Sequence, residues 1–275
     1  MTQDQTTLDR RRATEAPLHG PEAFEGMRRA GRLTAEALDL LVEHVRPGVT
    51  TELLDKLVFG FAMDHGAYPA PLLYRGYPKS ICTSINHVVC HGIPNDKPLR
   101  EGDLVNIDVT LILDGWHGDS SRMYFVGEVA RRAARLSDIT YEALLRGVAA
   151  VQPGGRTNDI GAAIQALAER ERCSVVRDFC GHGLGRVFHD APTILHYLEP
   201  SYNVELKPGM LFTVEPMINV GRAHVKVLAA GWTAVTRDRS LSAQFEHTVG
   251  VTETGVEVFT RSPRGYDKPP YDLAG

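Results

Sequence analysis

Apolar residues recur at helical spacing over residues 22–45, with Met27, Leu33, Leu38 and Leu41 in the run and Arg46-Pro47-Gly48 stopping it. Thr50-Thr51 then precedes Leu53, Leu54, Leu57, Val58 and Phe61, which predicts a capped amphipathic helix ending near Gly66. The same order returns further along. A helical pattern over residues 132–151 ends at Gln152-Pro153-Gly154, and Thr157 is placed to cap a helix carrying Ile160, Ile164 and Leu167. The two Pro-Gly pairs stand 106 residues apart. A strand repeats as well: Leu104-Val105-Asn106-Ile107-Asp108 and Leu211-Phe212-Thr213-Val214-Glu215 are offset by 107, each after a glycine-containing turn. Two copies of a helix–helix–strand unit are too few for a solenoid, so they imply one domain with an internal pseudo-twofold repeat.

The repeat has a chemical consequence, because Asp108 and Glu215 occupy matching positions. In the first strand Val105, Ile107 and Val109 face one way, and Asn106, Asp108 and Thr110 the other. Leu113-Asp114-Gly115-Trp116 reads as a two-residue hairpin. With Asp114-Gly115 as the loop, Thr110 opposes Asp119, so Asp119 joins the face of Asp108 as its diagonal neighbour. Such neighbours lie about 7–8 Å apart, and two like charges at that distance repel unless something positive sits between them. A divalent metal satisfies that demand; a pair of solvated strand acids is the plain alternative. Further candidate ligands follow. His182 is framed by Gly181 and Gly183, His189 comes seven residues later, Glu215 precedes Pro216, and Glu246 lies in the alternating run Gln244-Phe245-Glu246-His247-Thr248.

Composition narrows the class. The 275 residues are 43% hydrophobic and 23% charged, the balance of a soluble globular protein of one large domain or two small ones. A net charge of −4, no nucleic-acid motif and no long apolar run argue against a nucleic-acid or membrane surface. Cys82, Cys90, Cys173 and Cys180 form no C-x-x-C pair and are read as reduced thiols of a cytosolic chain. Residues 1–20 are polar, include Arg10, Arg11 and Arg12, and are read as a flexible extension. Residues 21–262 are then read as one folded domain and 263–275 as a C-terminal tail.

Several segments, taken in order, resemble the type I methionine aminopeptidases of the pita-bread fold. They are Tyr74-Arg75-Gly76-Tyr77-Pro78-Lys79-Ser80, Val89-Cys90-His91-Gly92-Ile93-Pro94, Asn106-Ile107-Asp108-Val109-Thr110, His117-Gly118-Asp119, Cys180-Gly181-His182-Gly183, Phe188-His189, Val214-Glu215-Pro216-Met217 and Gln244-Phe245-Glu246-His247-Thr248. The likeness runs from about residue 22 to about residue 260. It implies an α+β fold whose antiparallel sheet is covered by helices. It implies five ligands, Asp108, Asp119, His182, Glu215 and Glu246, for two divalent ions (cobalt, manganese, iron(II) or zinc), with Asp119 and Glu246 bridging. It makes His91, His189 and Glu215 catalytic, with Glu215 also a proton shuttle, and gives His91 and His189 contacts to substrate. Tyr74, Tyr77, Cys82, Phe188 and Trp232 match the methionine pocket, where aromatic and thiol walls suit a thioether. Asn86, Val88 and Ser242 match a site for a monovalent cation. The resemblance further implies a cytoplasmic monomer that acts on nascent polypeptide N-termini with a small second residue, in transient association with the ribosome. By that rule Met1-Thr2 is itself a substrate, and the mature chain starts at Thr2. Two positions depart from the pattern: Pro71 stands where bacterial relatives carry cysteine, and Arg75 replaces a polar residue at the pocket rim. A proline-directed peptidase of the same fold is disfavoured because such enzymes usually carry an extra N-terminal domain; a non-catalytic relative is disfavoured because no ligand is missing.

Overall fold

A computed structural model describes residues 16–272, so Met1, Thr2 and the Arg10–Arg12 run lie outside the described residues. The first half contains helices α1 (Pro21–Leu41) and α2 (Thr51–Asp64) and strands β1 (Tyr68–Pro69), β2 (Cys82–Ile85), β3 (Val88–Cys90), β4 (Leu104–Leu113) and β5 (Trp116–Phe125). The second contains α3 (Arg131–Ala149), α4 (Thr157–Arg170), β6 (Ser174–Val175), β7 (Gly181–Gly183), β8 (Asp190–Ile194), β9 (Leu211–Val214) and β10 (Met217–Asn219). The chain closes with β11 (Val225–Val227), β12 (Ala234–Thr236), β13 (Ser242–Gln244), β14 (His247–Val251) and β15 (Val256–Val258). All strand pairings among the described residues are antiparallel, and they form four sheets rather than one.

The helices cover the sheets through two large cores. Leu33, Leu38 and Leu41 of α1 and Leu54 and Val58 of α2 pack on Val105, Ile107 and Val109 of β4. Leu136, Ala143, Ile160 and Ile164 of α3 and α4 pack on Phe212 and Val214 of β9 and on Phe245. The alternation along β4 therefore holds: its aliphatic face meets helices, and Asn106, Asp108 and Thr110 are left for the opposite side.

The pseudo-twofold repeat is visible in matched backbone bonds. Gly48 N donates to Leu99 O at 2.8 Å, and Gly154 N to Leu206 O at 2.8 Å. The Thr51 hydroxyl accepts from Asn95 N at 2.9 Å, and the Thr157 hydroxyl accepts from Val204 N at 3.0 Å. This last pair corrects the expectation that Thr157 caps α4. Thr50 does cap α2, accepting from Leu53 N, but the equivalent cap position of α4 is Arg156, whose N–H donates to Asp159 Oδ2 at 2.7 Å. Thr157 is one residue too far along, and its hydroxyl instead ties the helix to the 204 segment.

The hairpin β4–β5 turns at Asp114 (φ 51°) and Gly115 (φ 79°), the left-handed pair that matches strand twist, and Thr110 opposes Asp119 as the numbering requires. Gly118 lets α1 lie directly on β5. A Cβ there would meet the Ala30 backbone at 2.5 Å, and the Thr34 hydroxyl donates to Gly118 O at 2.9 Å. The expected run through Gln244–Thr248 is broken. β13 pairs with β10, β14 pairs with β9, and Phe245 and Glu246 cross between the two sheets. The C-terminal segment is seated on the body through residue 272: Tyr271 Oη donates to Met123 O at 2.7 Å, and the buried Arg122, paired with Asp39, donates to Tyr266 O at 2.8 Å. Pro17–Gly20 likewise meet the body, with His19 N donating to Gly209 O at 2.8 Å.

Candidate active site

Five segments converge on one cavity of about 470 Å³. Asp108 comes from mid-β4, Asp119 from β5, His182 from the centre of β7, Glu215 from the residue after β9, and Glu246 from the crossing between β13 and β14. Each placement has a local cause. Pro216 ends the pairing of β9, which turns Glu215 inward. Gly183 lets β8 approach, since a Cβ there would meet Ala191 O at 1.8 Å. Glu246 is fixed beside β5 because its N–H donates to Ser121 O at 3.0 Å and its carbonyl accepts from Ser120 Oγ at 2.7 Å. Asp119 is held on the same side by Thr248, whose hydroxyl accepts from Asp119 N and donates to Asp119 O.

The acidic side chains sit close together. His182 Nε2 lies 3.6 Å from Asp119 Oδ2 and 3.8 Å from Glu215 Oε1. Asp119, His182 and Glu246 offer ligand atoms that all lie within 4.8 Å of one another. Asp119, Glu215 and Glu246 are 4%, 7% and 3% exposed. Burial, with the neighbouring acids, pushes Asp108, Glu215 and Glu246 well above the usual carboxylate range, and burial raises Asp119 to about 7. Burial lowers His182 to about 4, so its imidazole is neutral at pH 7 and free to donate a lone pair. Of the residues lining the cavity only Arg75 is a fixed cation, and it lies exposed at the mouth. Four clustered carboxylates without a cationic partner, plus one neutral imidazole and no close thiolate, suit divalent metal ions.

Residues beyond the expected ligands orient them. Thr110 Oγ1 donates to Asp119 Oδ1 at 2.6 Å, and Gln244 Nε2 donates to Glu215 Oε2 at 3.2 Å. Thr213 Oγ1 accepts from His182 N at 3.1 Å and donates to Glu215 Oε1 at 2.7 Å, so one hydroxyl aligns two of the expected ligands. His196, 1% exposed, accepts from Glu215 N at 3.0 Å and is lowered to about 3 by burial. None of these roles shows in local sequence except through Thr110, which the hairpin pairs with Asp119. Replacing Thr213 with valine, which keeps the shape and removes both bonds, is expected to weaken metal affinity by about 10–100-fold. Equilibrium metal titration of the variant checks this; affinity within twofold of the parent would contradict it.

The acids also set a pH dependence. The raised carboxyls hold protons in the metal-free fold above the usual carboxylate range, up to about 7 for Asp119, whereas a metal requires them ionised. His182 is already neutral and contributes no proton. Metal affinity should therefore rise between pH 6 and 8, by about tenfold per pH unit for each proton released. Titration calorimetry in two buffers of different ionisation heat reads the protons directly, and a pH-independent affinity would refute the shifts.

The expected substrate residues line the same cavity. His189 stacks on Tyr74 with its Nδ1 3.1 Å from Tyr74 Oη, and its ring centre lies 4.2 Å from that of His182. Its pKa falls to about 3, chiefly through burial. His91 sits on the other side, edge-on to Phe179 at 5.4 Å and to Trp232 at 6.4 Å, and burial lowers its pKa as well. Tyr77 packs edge-on to Trp232 and spends its hydroxyl on the carbonyls of Ile81 and Gly92, leaving a bare ring as wall. Cys82, directly opposite Asp108 in the β2–β4 pairing, is held as a neutral thiol by burial. Phe188 packs against Tyr74 and His117. Phe179 and Met217 belong to the lining too, although the sequence pattern gave them no role there. Asn86 and Ser242 are brought into contact, Ser242 N donating to Asn86 O at 2.9 Å, while Val88 pairs with Val235.

The chain matches the model of metallopeptidase family M24 over residues 25–253. It is 59% identical over 256 residues to a methionine aminopeptidase of Rickettsia prowazekii (strain Madrid E), spanning 92% of this chain and 98% of that one. It is 52% identical over 242 residues to a methionine aminopeptidase of Escherichia coli (strain K12), spanning 87% and 92%. Its fold superposes on a crystal structure of methionine aminopeptidase from Rickettsia prowazekii with a TM-score of 0.88, 58% identity and coverage of 89% and 99%. The clustered acids, the neutral histidine among them and these likenesses agree, and the chain belongs to metallopeptidase family M24, among its methionine aminopeptidases.

Proposed function

We propose that Asp108, Asp119, His182, Glu215 and Glu246 would hold two divalent metal ions, and that the enzyme removes the initiator methionine from proteins whose second residue is small. The observation that carries this reading is the packing of four raised carboxylates around a neutral His182 with no cationic side chain among them. When bound, the metal pair supplies Lewis acidity that makes hydroxide available near neutral pH. The chain's own residues do the rest. Glu215 takes a proton from the attacking water and returns it to the leaving amine. His189 donates a hydrogen bond to the scissile carbonyl oxygen as charge develops there. His91 orients the peptide from the opposite wall. Tyr74, Tyr77, Cys82, Phe188 and Trp232 enclose the methionine side chain, whose burial is worth about 1.5–3 kcal/mol.

Manganese, iron(II), cobalt and zinc all suit this mixed carboxylate–imidazole set. A monovalent cation is proposed at Asn86, Val88 and Ser242; Ser242 Oγ and the opposing Asn219 Oδ1 support it, being buried without a hydrogen-bond partner. We place the enzyme in the cytoplasm as a monomer, acting on nascent N-termini in transient association with the ribosome. Among the described residues no helix is long and apolar enough to cross a membrane. The test is turnover of Met-Ala-Ser by metal-free protein titrated separately with manganese, iron(II) and cobalt. Activity should appear with the first or second equivalent of at least one metal, and Gly-Pro should remain uncut. No methionine release with any metal, or equal cleavage of Gly-Pro, would overturn the reading.

A further inference from the structure

Tyr74–Gly76 form a short 3₁₀ turn, preceded by Leu73, at the cavity mouth with an unusual backbone. Leu73, Arg75 and Gly76 have φ of 65°, 48° and 85°, and the turn is closed by Leu73 N donating to Tyr77 O at 2.8 Å and Tyr77 N to Tyr74 O at 2.9 Å. Glycine or asparagine would sit more easily at the left-handed position that Arg75 fills. A residue held in that region persists where its surroundings demand it, and such positions cluster at ligand clamps. Arg75 lines the mouth, is solvent-exposed, and has no ion-pair partner among the described residues. Its guanidinium sits 5.2 Å from the centre of the Tyr74 ring. Tyr74 in turn touches His189 through its hydroxyl. The cation is thereby anchored over the aromatic wall that runs outward from His189, rather than left to sweep through solvent.

We propose that Arg75 selects substrates by an acidic side chain two or three residues beyond the scissile bond. This rests on the reading above, in which His189 stands at the scissile carbonyl. An extended peptide advances about 3.3 Å per residue, so its third and fourth residues pass the outer side of Tyr74, where the guanidinium lies. Two other charged groups face the mouth, Asp178 and Asp190, and both are exposed acids. They disfavour an acidic peptide on their own sides, so Arg75 decides both the sign of the preferred side chain and the wall along which the peptide leaves. Ala191 N occupies Asp190 Oδ1 at 2.8 Å, which holds that acid in place.

The test compares metal-loaded enzyme on Met-Ala-Ser-Asp-Ala, Met-Ala-Ser-Lys-Ala and Met-Ala-Ser-Ala-Ala, and on the same set with the charge at the third residue. An exposed ion pair of this kind supports a preference of up to about fivefold for aspartate over lysine, carried in KM rather than kcat and fading at 1 M salt. Arg75→Gln should remove the preference, Arg75→Glu should reverse it, and Arg75→Lys should retain it. Equal KM values for the aspartate and lysine peptides in the parent, or a preference that survives in Arg75→Gln, would overturn the proposal while leaving methionine release intact. Failure to release methionine from the uncharged peptide would instead overturn the function on which it rests, and the proposal with it.

Discussion

Asp108→Ala is expected to abolish peptide hydrolysis, lowering turnover by several decades, because supply of the nucleophile depends on both ions. Asp108 stands on β4 diagonal to Asp119 on β5, and its carboxyl is raised by burial and by the Asp119 charge. Under the proposed ligand set, one ion would lose a ligand that no neighbour replaces: Cys82, opposite on β2, is a neutral thiol, and Thr110, two residues on, already donates to Asp119. The variant should bind less than two metal ions per chain. It should nonetheless fold. In the metal-free state the acids repel one another, so removing one should leave the metal-free variant at least as stable as its metal-free parent at pH 8. Metal content, turnover and thermal melting in chelator separate these effects. Near-normal turnover with two ions retained would refute the ligand assignment, and a collapsed melting temperature would make Asp108 structural.

His189→Ala should give the second largest effect and the opposite metal result. The His189 ring lies 4.2 Å, centre to centre, from that of His182 and its Nδ1 meets the Tyr74 hydroxyl, and its pKa of about 3 keeps the ring neutral. A neutral imidazole with one nitrogen against the tyrosine hydroxyl has the other available for a carbonyl oxygen. Removing a donor of that kind costs about 10²–10³ in kcat. Both ions should remain bound, since His182 and the four acids are untouched. Loss of an ion in this variant would mean that the roles of His182 and His189 have been exchanged. Because His189 lines the cavity and belongs to none of the apolar cores, the substitution should move thermal stability little.

The parts of the site that were legible from spacing alone share one property: each rests on a pattern that is local in the chain. The Asp114-Gly115 turn and simple alternation put Asp108 and Asp119 on one face, because a two-residue left-handed loop permits one register only. The repeat offset of 107 matched Glu215 to Asp108 for the same kind of reason, and the matched bonds at Gly48 and Gly154 bear the repeat out. The family motifs supplied the remaining proposed ligands and pocket residues, none of which periodicity alone would separate from core. The cap of α4 was misplaced by one residue because Thr50-Thr51 offers two hydroxyls while the second copy, Arg156-Thr157, offers one, already used by Val204.

Periodicity, turn chemistry and strand alternation act over a few residues, and they suffice to set the helices, the acid-bearing hairpin and the doubling of the unit. How the two halves meet depends instead on contacts between distant segments. Glu246 stands beside Asp119 because Ser120, Ser121 and Thr248 bond across more than 120 positions of chain, and Asn106 reaches Gln244 O at 2.8 Å across 138. Thr213 and His196 gained their roles in the same way, as the polar groups within reach of a buried ligand. Partners so distant are selected by the packing of α1 on Gly118 and of α3 on β9 and Phe245, and by the need to pair every buried polar atom. Neither leaves a periodic trace in the chain.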